Sequence, residues 1–137
     1  RRLVALANRV QSLQYDFEPA WNAEFCRRVR EQVSIPVLAE GGIRGREEMD
    51  RLLDSSGNET PACDMVGLAR PFYAEPRLGA RLLEVEPDGD GPRVVCESCN
   101  NCTVPQVTGA PGICRTPNVL QKRGELERAG AYERSDR

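Results

Sequence analysis

The chain of 137 residues has no histidine, only one Trp, three Tyr and three Phe, no long apolar run and no concentration of basic charge. Each absence narrows the field. Without histidine, the zinc sites that combine cysteine and imidazole ligands are excluded. Nineteen Lys and Arg against twenty-one Asp and Glu give a net charge of -2, spread along the chain. With so few aromatics and no basic stripe, the composition argues against a nucleic-acid partner. Apolar runs such as residues 35–39 are far shorter than the roughly 20 residues that cross a bilayer, so no membrane partner is expected. No basic start followed by an apolar stretch marks a signal peptide. The expected setting is soluble and cytoplasmic, where disulfides are rare and clustered cysteines bind metal or do chemistry.

A chain of this length can form one domain. It opens on Arg1-Arg2-Leu3-Val4-Ala5-Leu6 rather than Met, however, and the expectation is a piece of a longer protein. Trp21, Phe25, Val29 and Val33 recur every four residues, with charge between them, and predict an amphipathic helix after Pro19 with Trp21 and Phe25 in the core. Residues 34–39 read as a strand apolar on both faces, with Pro36 near its start. Met49, Leu52 and Leu53 mark a helix from Arg46 to about Ser55, and residues 64–69 form a second two-sided strand that stops at Arg70-Pro71. Leu78, Leu82 and Leu83 predict a third helix over about residues 76–85. Alternation at this pitch is the repeat of an α/β fold. Residues 3–13 are read as one more strand, although Leu3, Leu6 and Val10 also suit a helix. Three segments follow: an α/β part over 1–85, a linker and cysteine-rich segment over 86–118, and a charged tail over 119–137, read as frayed helix or disorder.

Both strand ends carry chemistry suited to an anion. Gly41-Gly42 follows the first and Ala69-Arg70 the second. Small residues let backbone N–H groups approach phosphate oxygens, and an arginine adds a charged fork. Either loop alone could be a tight turn or a solvated arginine. Together, I-P-V-L-A-E-G-G-I-R (residues 35–44) and D-M-V-G-L-A-R-P-F-Y-A-E-P (residues 64–76) strongly resemble the last two βα units of the Old Yellow Enzyme family of NADH:flavin oxidoreductases. The resemblance covers about residues 19–83 and implies the C-terminal portion of a TIM (β/α)8 barrel. It also implies FMN, with its phosphate held by Gly41, Gly42, Ala69 and Arg70. Ala69 stands where many relatives have glycine, a change that a backbone contact survives.

The cysteines follow as C-E-S-C-N-N-C, with Cys96, Cys99 and Cys102 in seven residues and Cys114 after a loop of two prolines and two glycines. Structural zinc favours two separated C-x2-C knuckles, and no second knuckle surrounds Cys114. Three close thiolates with a distant fourth suit an iron-sulfur cluster. The resemblance points the same way, because the branch that looks like 2,4-dienoyl-CoA reductase and trimethylamine dehydrogenase binds a [4Fe-4S] cluster just after its eighth βα unit. Zinc, or a vestigial site, are the competing readings. Cys26 and Cys63 read as small buried hydrophobes.

The resemblance implies an enzyme that moves hydride from NAD(P)H through FMN to an activated C=C bond in a small-molecule substrate. This chain carries none of the family's catalytic residues and is expected to be inactive alone. The different class is a non-catalytic metal-binding interaction module in which Gly41 and Arg70 are merely structural. An incomplete barrel would leave a strand edge and half a core uncovered. The 137 residues alone are therefore expected to be unstable or to aggregate; a monomeric size-exclusion peak with a cooperative thermal melt would contradict this.

Overall fold

The computed structural model describes residues 16–54, 60–83, 91–107 and 109–133, with isolated positions before residue 16. Two compact units divide the chain. One is built from Phe17–Ala69 with Glu86–Arg93, the other from Arg1–Asp16, Arg70–Val85 and Val94–Arg137. Among the described residues no helix is long and apolar enough to cross a membrane.

The first unit is a βαβ arrangement preceded by a helix. Helix α1, Ala23–Arg30, buries Cys26, not the expected aromatic row. Trp21 and Phe25 are 63% and 69% exposed, which corrects their assignment to the core. The cause is the arginine side of the helix. Arg27 Nε donates to the Thr60 carbonyl at 3.2 Å and Arg30 Nε to Asp64 Oδ1 at 3.0 Å, so these side chains turn toward the second strand's approach and carry residues 21 and 25 outward.

Strand β1, Leu38–Glu40, pairs in parallel with β2, Met65–Gly67, in the register Leu38 to Met65, Ala39 to Val66 and Glu40 to Gly67. Both are shorter than expected. Pro36 has no N–H for the ladder, and Ser34 and Ile35 lie in a bend. The approach is tied instead by Asp64, whose carboxylate accepts the Val37 N–H at 2.9 Å, while Val37 O accepts the Asp64 and Met65 N–H groups at 2.9 and 3.2 Å. That N–H, then Arg30, holds the Asp64 carboxyl below its ordinary pKa. The strands bury one face only: Ala39 is fully buried, whereas Leu38 and Met65 are half exposed. Between them α2, Arg46–Leu53, buries Met49 and Leu52. Its start is capped from within, since Glu48 Oε2 accepts the Arg44 and Gly45 N–H groups at 2.6 and 3.2 Å. Ala62 and Cys63 then hang from the Leu52 carbonyl at 2.9 and 3.2 Å. Residues 55–59 and 84–90, which include most of the expected break and linker, lie outside the described residues.

The second unit is helical. Its described positions between 3 and 10 are helical, so the Leu3, Leu6 and Val10 spacing takes its helical reading and not the strand. Helix α3, Arg70–Ala74, starts where the second strand was expected to stop, with Pro71 in its first turn, where a missing N–H is harmless. Helices α4, Leu78–Leu83, α5, Thr103–Val107, and α6, Pro117–Arg128, complete the unit. Of the tail read as frayed helix or disorder, the stretch up to Arg128 belongs to α6, and residues 134–137 lie outside the described residues. Val119 and Tyr132 are both almost fully buried, and Arg123 Nη1 reaches the Ala74 carbonyl at 3.4 Å.

At the centre lies Glu75, wholly buried. Its Oε1 accepts hydrogen bonds from Arg81 Nε at 2.9 Å, from Arg81 Nη2 and from the Tyr132 hydroxyl at 2.9 Å; Oε2 accepts the Val95 N–H at 2.7 Å. Removing one partner of such a buried pair leaves an uncompensated charge. Glu75→Ala is therefore expected to destabilise this unit by about 3–5 kcal/mol, measured as lost amide hydrogen-exchange protection in α6; retained protection would contradict it. Burial, and then Glu75, push the Tyr132 phenol from 10.0 up to about 12. A raised phenol means that the fold favours the neutral form. Its contribution is whole below about pH 10 and lost as pH rises toward about 12. Tyr132→Phe should flatten the decline in stability across that window, measured by denaturant unfolding at stepped pH.

Candidate cofactor and metal-cluster site

The two strands run parallel, so Gly41-Gly42 after β1 and Leu68-Ala69 after β2 leave the same, carboxyl end of the sheet. In open α/β sheets that end is where ligands bind. Gly41 and Gly42 have φ of 121° and 70°, a region that side chains rarely adopt. Space forbids a side chain as well. A Cβ on Gly42 would come within 2.5 Å of the Glu18 carbonyl oxygen, and one on Gly41 within 2.7 Å of Trp21 Nε1. Trp21, expected in the core, is therefore the side chain that lies against the glycine loop. Two buried polar atoms here have no partner: Asn22 Oδ1, on the amide that donates to the Glu40 carbonyl, and Arg44 Nε. The Arg44 guanidinium lies 3.7 Å from the centroid of the Phe17 ring. Neither Asn22 nor Arg44 was singled out from sequence.

Ala69 belongs to the sheet unit, and Arg70, next in the chain, opens α3 in the other unit. The Arg70 Nη1 donates to the Ser98 carbonyl at 3.4 Å and to Asn100 Oδ1. Its guanidinium is thus engaged with the cysteine loop.

Cys96, Cys99, Cys102 and Cys114 all line one pocket, together with Arg70 and Tyr73. All four are free thiols. The loop reverses twice to bring them there: Ser98 and Asn100 have φ of 55° and 60°, and only short polar residues tolerate that conformation easily. Asn100 O then accepts both the Thr103 N–H at 2.9 Å and the Thr103 hydroxyl at 2.7 Å, which starts α5 directly after Cys102. Cys114 is brought in by its N–H donating to the Tyr73 carbonyl at 3.4 Å. Thr116 Oγ1 lies 2.9 Å from Cys99 Sγ and accepts from Asn101 Nδ2 at 3.1 Å. Burial, and then the neighbouring Cys96, push the Cys102 thiol up, while the Arg70 charge pulls the other way.

The cysteine spacing was legible in sequence; the engagement of Arg70 and Thr116 was not. Among the described residues, no three of His, Cys, Asp and Glu gather closely enough to hold one metal ion. A tetrahedral zinc with Zn–S bonds near 2.3 Å needs sulfurs about 3.8 Å apart. Cys26 and Cys63 lie in the sheet unit's core, as expected of small hydrophobes; Cys63 Sγ lies 3.7 Å from the Leu52 carbonyl, and burial raises its thiol.

No family model matches the chain, and no solved structure matches it significantly. Among curated proteins it is similar to the 4,4'-dithiodibutanoate disulfide reductase of Rhodococcus erythropolis, 25% identical over 112 residues, which are 82% of this chain and 25% of that protein. It is also similar to the bilirubin reductase of Mediterraneibacter gnavus (strain CC55_001C), 34% identical over 83 residues, 59% of this chain and 12% of that protein. The chain thus spans a quarter or less of the relatives it matches, and both carry the name of a reductase.

Proposed function

We propose that the chain is part of an FMN-dependent oxidoreductase of the Old Yellow Enzyme type, contributing the last βα units of a TIM barrel and a [4Fe-4S] site. The convergence of Cys96, Cys99, Cys102 and Cys114 on one pocket carries this reading. The four thiols are free and line that one pocket, and three close thiolates with a distant fourth suit a cluster. The similarity to two named reductases supports redox chemistry in general.

In the sheet unit, Gly41, Gly42 and Ala69 lie at the carboxyl end of a parallel strand pair, a position that suits the phosphate of FMN. The orphaned Arg44 Nε and Asn22 Oδ1 beside the loop suit a polar ligand there. Arg70, which the family resemblance also assigns to phosphate, serves the cysteine loop through Ser98 and Asn100. When bound, FMN would accept hydride from NAD(P)H and deliver it to an activated C=C bond of a small molecule, and the cluster would pass single electrons.

The experiment is an absorption spectrum of the protein purified without oxygen. A flavin band with a broad iron-sulfur shoulder is the expected result. A colourless sample holding one zinc per chain would replace this reading with that of a metal-binding module.

A further inference from the structure

We infer that Thr116 is a positioning residue whose hydroxyl donates a hydrogen bond to the Cys99 sulfur, under the control of Asn101, and thereby raises the reduction potential of the cysteine site. The inference rests on the cluster reading above. Two observations carry it.

The first is direction. Thr116 Oγ1 lies 2.9 Å from Cys99 Sγ, and the same oxygen accepts from Asn101 Nδ2 at 3.1 Å. An amide N–H can only donate, so it occupies a lone pair of the hydroxyl and leaves the hydroxyl proton for another acceptor. A metal-ligating sulfur is a thiolate with no proton to give. Between Thr116 and a ligated Cys99, the hydroxyl is then the donor.

The second is what the hydroxyl gives up. Thr116 occupies the N-cap position of α6, where a threonine oxygen ordinarily accepts an N–H of the first turn. Here it makes no such cap bond, and Pro117 follows at the first helical position. Thr116 is buried, so water does not compensate. The side chain serves the sulfur where it could have served the helix.

A donor to a ligating sulfur withdraws negative charge from it, which favours the reduced, more negative state of a cluster. The loop places this donor on Cys99, where it favours electron acceptance.

The test loads the intact protein of which this chain is read as part with iron and sulfide anaerobically and compares it with Thr116→Val, which removes the hydroxyl at nearly constant volume, and Thr116→Ser, which keeps it. At a fixed potential near the midpoint, the reduced-to-oxidised ratio should fall about tenfold in Thr116→Val, or about 59 mV for one electron, and stay near wild type in Thr116→Ser. The iron–cysteine stretching frequencies in resonance Raman should rise in Thr116→Val as the bond to Cys99 loses its competitor. If Thr116→Val fails to retain iron, Asn101→Ala, which frees the hydroxyl to rotate, should shift the potential in the same direction by less. Variants that hold iron with unchanged potential and frequencies overturn the inference and leave the cluster reading standing. A wild type that takes up no iron overturns both.

Discussion

A buried carboxylate with four donors organises the helical unit. Glu75 receives Arg81 through two nitrogens, the Tyr132 hydroxyl and the Val95 N–H, and so joins three stretches of chain far apart in sequence. The Arg81 guanidinium also stands 6.0 Å from the Tyr132 ring centroid. Such a network is stabilising only when every member is satisfied. Its geometry is correspondingly specific. Val95 immediately precedes Cys96, so the carboxylate that closes the unit also fixes where the cysteine segment begins.

From that anchor, the cysteine loop is shaped by local backbone and completed from a distance. Left-handed residues at Ser98 and Asn100 fold three thiols toward one pocket, Arg70 clamps the turn between them, and Cys114 and Thr116 line the same pocket. Thr116 then leads into α6, where Val119 is buried and Arg123 donates to the Ala74 carbonyl of α3. The fourth ligand and the last helix are therefore one structural element. The glycine loop in the sheet unit follows a different logic, in which Glu18 and Trp21 approach too closely for any side chain at Gly42 and Gly41.

The helix-strand-helix-strand order was legible because apolar periodicity reports which face an element buries. Element extents were not, since Pro36 and the bend before it end the ladder early, a matter of hydrogen bonding and not of hydropathy. The exposure of Trp21 and Phe25 is not legible locally, because the rotation of α1 follows Arg27 and Arg30 bonding to Thr60 and Asp64, more than 30 residues away. The charge of the tail conceals the buried Val119 and Tyr132. The cysteine spacing stood out because metal ligation demands it. The second roles of Arg70, Asn101 and Thr116 depend on contacts between residues 15 to 30 apart, which composition and local pattern do not encode.

The central claim, that these four thiols form a cluster site, is tested most directly by the iron and acid-labile sulfide bound per chain after anaerobic reconstitution of the intact protein, as wild type and as Cys114→Ser. The account predicts about four of each in the wild type and a loss of most of both when Cys114, the distant fourth ligand, is replaced. One tightly held zinc in place of iron, or equal iron in the two proteins, would contradict it.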